Sequence, residues 1–116
     1  MKKIILVAGL LFAMSTVHAE TCDDAQTQMK MNQCAAQDLA KENKNINWIY
    51  KKVMGTLSKN EKSQLKALEL RWIREKDTTC KAEAAENAGG SMEQMVLNMC
   101  LARLTKERSE WLKENY

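Results

Sequence analysis

The chain has 116 residues, one histidine, four cysteines and no proline, with 18 Lys and Arg against 15 Asp and Glu. That near balance gives no electrostatic footprint for nucleic acid, and the length suits one small domain with a modest core. The single histidine, His18, falls in a leader segment, which excludes Ser-His and Cys-His nucleophile pairs and histidine metal ligands from the rest of the chain.

The leader reads MKKIILVAGLLFAMSTVHAE. Lys2 and Lys3 supply a positive start, and Ile4 to Met14 form an uncharged, mostly apolar stretch too short to span a bilayer. Val17 and Ala19 occupy the small-residue positions of a cleavage site. We expect a signal peptide over residues 1–19 and a single periplasmic or secreted domain over residues 20–116, with no membrane span after cleavage. Lys2 and Lys3 leave with the leader, so 16 of the 18 basic residues then face 15 acids. Small exported domains often compensate for a modest core with disulfides, and Cys22, Cys34, Cys80 and Cys100 permit two. A zinc site would need the same thiols reduced, so no metal or other cofactor is expected.

Helical periodicity runs through the domain, and strand-like alternation is absent. Met29, Asn32, Ala36, Leu39, Asn43, Ile46, Tyr50, Val53 and Leu57 recur at steps of three and four, which predicts one long first helix. Ser58 and Glu61 have capping-box spacing, so a second helix should start near residue 60, with Leu65, Leu68 and Trp72 on its buried face. Gly89-Gly90 ends that helix. Ser91 with Gln94 is expected to cap a third, whose stripe is Leu97, Leu101, Leu104, Arg108 and Trp111. The pattern predicts an all-α, three-helix domain: one long N-terminal helix packed on an antiparallel helical hairpin, with two disulfides.

A hairpin turning at Gly89-Gly90 sets residues whose numbers total about 180 opposite one another. Cys80 then faces Cys100, Asp77 faces Arg103, and Trp72 lies close to Arg108. The register predicts a Cys80–Cys100 bridge and leaves Cys22–Cys34 as the second by elimination. Closing a loop of about 20 residues should stabilise the fold by roughly 3 kcal/mol on a chain-entropy estimate.

Several stretches together carry a family resemblance: Met31-Asn32-Gln33-Cys34, Ile46-Asn47-x-x-Tyr50, Trp72, Lys76-Asp77-x-x-Cys80, Gly89-Gly90-Ser91, Cys100 and Leu104-Thr105-x-x-Arg108. With these in this order the chain resembles the LprI-like family, named for a mycobacterial lysozyme inhibitor. It departs where members tend to carry Asp (here Asn43), Leu (here Ile46) and an Arg-Asp pair (here Lys76-Asp77). The resemblance implies an exported, helical, disulfide-linked protein that is not an enzyme. Its expected partner is another protein, a lysozyme or other cell-wall hydrolase, blocked by steric occlusion. Two alternatives stay open: a periplasmic immunity protein against a toxin, and a structural or Cu(I)-handling module.

Asn32, Asn47, Tyr50, Trp72, Asp77, Arg103 and Arg108 are read as structural polar residues. Arg108 sits within an apolar stripe and should pair with Asp77 or stack on Trp72, unless it holds a ligand carboxylate. Met92, Met95 and Met99 form a separate stripe opposite Leu97, Leu101 and Leu104. That stripe is covered by the Cys22–Cys34 arm, meets a partner, or binds Cu(I) through its thioethers. Together with Gly89 and Gly90 it is the expected partner-binding surface. Glu69, Glu75 and Asp77 read as a solvated acidic face, since a glycosidase needs two carboxyls opposed across a cleft.

Overall fold

A computed structural model describes residues 21–116 and shows three helices: α1 (Gln28–Met54), α2 (Lys59–Ala85) and α3 (Glu93–Asn115). The expected signal peptide lies outside the described residues. The fold is all-α, and among the described residues no helix is long and apolar enough to cross a membrane. Both expected bridges form, Cys80–Cys100 as the hairpin register requires and Cys22–Cys34 as elimination left it.

Local chemistry sets the helix ends. The Thr27 side chain accepts the Lys30 backbone N–H at 3.2 Å and starts α1. Ser58 and Glu61 form the expected capping box: Ser58 Oγ accepts the Glu61 N–H at 3.3 Å, and Glu61 Oε1 accepts the Ser58 N–H at 3.0 Å. The start of α3 differs from expectation. Its N-cap is Met92, with no side-chain cap, and Ser91 does not cap the helix. Instead Glu93 reaches back from the first turn, and its carboxylate accepts the Gly89 N–H at 3.0 Å.

The chain runs up, down and up, so α2 lies antiparallel to α3 and α1 lies parallel to it. Gln28 and Asn32 of α1 meet Met95 and Ser91 at one end. Ile46 and Ile49 meet Leu112 at the other. Both α1 and α2 pack closely on α3, while their own backbones stay farther apart and share only the side-chain core of Ile46, Ile49 and Leu65, so α1 rests on the α3 half of the hairpin.

The central place of α3 shifts its buried line from the expected one. Besides the disulfide-bonded Cys100, the enclosed residues are Asn98, Ala102, Thr105, Ser109 and Leu112, each one position after a member of the predicted stripe. Leu97, Leu101, Leu104, Arg108 and Trp111 lie half-buried beside it. Small side chains occupy the line because helix separation depends on side-chain size at the contact, and here two neighbours close on one helix. In α2, Leu65 and Glu69 are buried while Leu68 is exposed; in α1, Met29, Ala36 and Asn43 of the predicted stripe are exposed.

Thr105 is fully buried, and its hydroxyl has no hydrogen-bond partner. An unsatisfied buried polar atom costs stability, and valine has nearly the same shape. Thr105→Val is therefore expected to be neutral or to stabilise by up to about 1 kcal/mol in urea unfolding. A clear destabilisation would mean that the hydroxyl is used.

The interior is uneven along its length. Near the α1–α2 turn, Ile46, Ile49, Leu65 and Leu112 form an apolar core, with Tyr50, Val53, Met54, Leu57, Trp72 and Trp111 packed around it. Toward the α2–α3 turn the buried apolar residues are Cys34, Ala35, Cys80, Ala84, Cys100 and Ala102. Alanine and cysteine bury far less apolar area than leucine or isoleucine, so hydrophobic stabilisation is weak there. Both disulfides lie at this end and close it covalently.

Candidate functional site

The covalently closed end presents the turn between α2 and α3. Gly89 adopts φ 78°, a left-handed conformation that favours glycine, and Gly90 N–H donates to the Asn87 carbonyl at 3.0 Å. Ala88 to Met92 are exposed. The first turns of α1 brace this tip. Asn32 Nδ2 donates to the Ser91 carbonyl at 3.2 Å, and Gln28 Nε2 donates to both Asn32 Oδ1 at 2.7 Å and Met95 Sδ at 3.4 Å. With the two disulfides these contacts hold the tip in a defined shape.

The methionine stripe is split. Met95 is half-buried against Gln28, whereas Met92 and Met99 are 44% and 55% exposed. The Cys22–Cys34 arm therefore does not cover the stripe as a whole, and the three thioethers do not form one open face. Among the described residues no cluster of three His, Cys, Asp or Glu side chains could hold a metal ion.

A second feature follows from the separation of the α1 and α2 backbones. A groove of about 420 Å³ opens between them. From α1 it is lined by Asn43, Ile46, Asn47 and Tyr50; from α2 it receives Lys66, Glu69, Leu70, Trp72, Ile73 and Lys76. Glu69 is bound to Arg108, which donates to Glu69 Oε1 from Nη2 at 2.6 Å and from Nε at 2.8 Å. The Arg108 guanidinium lies 3.8 Å from the Trp111 ring centroid and 5.7 Å from that of Trp72. Lys76 Nζ sits 4.5 Å from the Trp72 centroid. Burial pushes the Lys76 ammonium below its ordinary pKa, partly offset by the charges of Asp77 and Glu69.

Several expected pairings change. Arg108 pairs with Glu69, not Asp77, and stacks more closely on Trp111 than on Trp72. Arg103 pairs with Glu83 at 2.9 Å, not with the opposing Asp77, and this pair is substantially exposed. Asp77 is half-buried and makes no salt bridge or hydrogen bond among the described residues. Glu69, read from the sequence as part of a solvated face, is the buried carboxylate of the domain. Its spacing signalled this: it stands four residues after Leu65 and three before Trp72, on the inner line of α2. The groove contains one carboxylate, held by an arginine, so it lacks the opposed carboxyl pair of a glycosidase.

A family model described as lysozyme inhibitor LprI matches residues 19–112. The chain belongs to the LprI family. A relative in Rhizobium meliloti (strain 1021), named as an uncharacterized protein, is 33% identical over 106 residues, which cover 80% of this chain and 76% of the relative. No solved structure matches the chain. Residues from the motifs that carry the LprI resemblance contribute to both features. Ile46, Asn47, Tyr50, Trp72 and Lys76 line the groove, while Asn32, Cys34, Gly89, Gly90 and Ser91 build the braced tip. The two disulfides of this LprI domain suggest an oxidising, extracytoplasmic location.

Proposed function

We propose that this LprI-family protein is exported by cleavage after Ala19 to the periplasm or exterior. There it inhibits a lysozyme or related cell-wall hydrolase by steric occlusion, without catalysis of its own. The contacting edge is the α2–α3 tip, Ala88 to Met92, with Met99 beside it. The observation that carries this reading is the bracing of an exposed turn by the Cys80–Cys100 bridge across its hairpin and by the Asn32–Ser91 hydrogen bond. A projecting turn already fixed in shape loses little conformational entropy on entering a cleft, which is the chief cost of loop-mediated binding. Exposed methionines on such an edge adapt to the walls they meet. With 16 basic and 15 acidic residues after cleavage, electrostatic steering toward a basic lysozyme is weak, so shape and apolar contact have to supply the affinity.

Inhibition assays against c-type and g-type lysozymes test the reading. We expect inhibition at micromolar protein. Ala88→Arg with Met92→Glu, both on exposed side chains, should weaken it at least about tenfold at unchanged Tm. No inhibition of either lysozyme class at micromolar protein would end the lysozyme version. Inhibition untouched by the double variant would remove the tip from the contact.

A further inference from the structure

We propose that the α1–α2 groove binds a small amphiphilic carboxylate, an apolar body headed by one anionic group. The proposal is independent of the tip and of hydrolase inhibition. It rests on how the groove is built. Because α1 and α2 each pack more closely on α3 than on each other, a cleft opens between them. Lys66, Leu70 and Ile73 follow one another at helical spacing along a single face of α2, and Lys76 continues it. Leu70 and Ile73 are 49% and 40% exposed, an unusual position for two large apolar side chains that share a concave wall. Trp72 and Tyr50 extend that wall toward the core.

Charge then selects the ligand. The groove's one carboxylate, Glu69, is ion-paired with Arg108, so Lys66 and Lys76 give the cleft a net positive charge, although Asp77 and Glu69 lie near enough to Lys76 to offset it in part. Lys76 is held over the Trp72 ring with no salt bridge among the described residues, at the boundary between the apolar wall and solvent. Asp77 adjoins Lys76 in sequence but does not line the groove. On the opposite wall Asn43 and Asn47 make no side-chain hydrogen bonds among the described residues, and their amides are available to a carboxylate's second oxygen. An apolar wall, two ammonium groups and two free amides match an apolar anion and disfavour an apolar cation. A volume of about 420 Å³ admits a short alkyl chain or a few residues of peptide, not a folded partner.

The test is an NMR titration of the full exported domain with three probes. Decanoate is an alkyl carboxylate, N-acetyl-leucyl-leucine a peptide carboxylate, and decyltrimethylammonium the matched cation. We expect at least one carboxylate to bind, with shifts confined to groove residues. We also expect binding at least about tenfold tighter than the cation shows, the increment of one charge-assisted contact. Which carboxylate binds better identifies a lipid-like or a peptide-like source. Lys66→Gln and Lys76→Met should each weaken carboxylate binding at unchanged Tm, and Leu70→Asp should abolish it. Equal binding of cation and carboxylate, shifts outside the groove, indifference to the lysine variants, or no carboxylate binding up to about 1 mM would overturn the proposal.

Discussion

Glu69→Ala should destabilise the domain by about 3–5 kcal/mol, a fall in Tm of more than about 12 °C for a domain of this size. The side chains of Glu69 and Arg108 are 10% and 16% exposed, so both charges are largely withdrawn from water. Their mutual attraction and two short hydrogen bonds offset that withdrawal. Removing the carboxylate leaves a guanidinium enclosed between Trp72 and Trp111, and ring faces compensate only part of the lost pairing. Arg108→Met should cost a similar amount by stranding Glu69, whereas Glu69→Leu with Arg108→Met should recover much of the loss. A double-mutant cycle in urea measures the coupling directly. By contrast Glu83→Ala, which breaks the exposed pair with Arg103, should cost no more than about 1 kcal/mol. If Glu69→Ala were equally mild, the Arg108 cluster would be a surface pair in energetic terms. Loss of carboxylate binding by Arg108→Met at unchanged Tm would instead make Arg108 a ligand contact.

What was legible in the sequence was what short-range spacing encodes. Ser58 and Glu61 stand three residues apart because a helix start places their groups within reach, so the capping box could be read directly. Gly89 marked the hairpin turn, and the turn fixed the register that joined Cys80 to Cys100. Spacing misleads where tertiary packing intervenes. The large apolar side chains of α3 point by spacing to Leu97, Leu101 and Leu104, but a helix enclosed on two sides buries the line between its neighbours most deeply, and on α3 that line runs through Ala102, Thr105, Ser109 and Leu112. Backbone register alone sets Arg103 opposite Asp77. Helical side chains lean toward their own N-terminus, so Arg103 reaches back along α3 to Glu83, further along the antiparallel α2. The tip of the candidate site was visible as Gly89-Gly90. The groove was not, because it exists only through the separation of α1 from α2, and no periodicity within either helix records that separation.

Replacing Cys80 and Cys100 together by alanine should cost about 3 kcal/mol and lower Tm by roughly 12 °C or more. The bridge closes a separation of 20 residues and constrains the unfolded chain accordingly. The folded side of the balance points the same way. Around the bridge the buried residues are mainly alanine, cysteine and Asn98, so little hydrophobic energy remains to hold the end of the hairpin once the bond is gone. The Cys22–Cys34 bridge has a comparable sequence separation of 12, yet its removal should have a smaller global effect. Thr21 to Thr27 are mostly exposed, so that segment can loosen and the first turns of α1 can fray while the apolar core around Ile46, Ile49, Leu65 and Leu112 stays intact. Hydrogen exchange should therefore separate the two variants. Loss of Cys22–Cys34 should expose amides of residues 28–34 with a modest change in Tm, and loss of Cys80–Cys100 should lower protection across the α2–α3 end and Tm together. Equal Tm losses would refute the division into a covalently held end and a hydrophobically held one. The same pair of variants bears on the tip: if a fixed shape is what lets it occupy a cleft, the Cys80–Cys100 variant should inhibit less even where it remains folded.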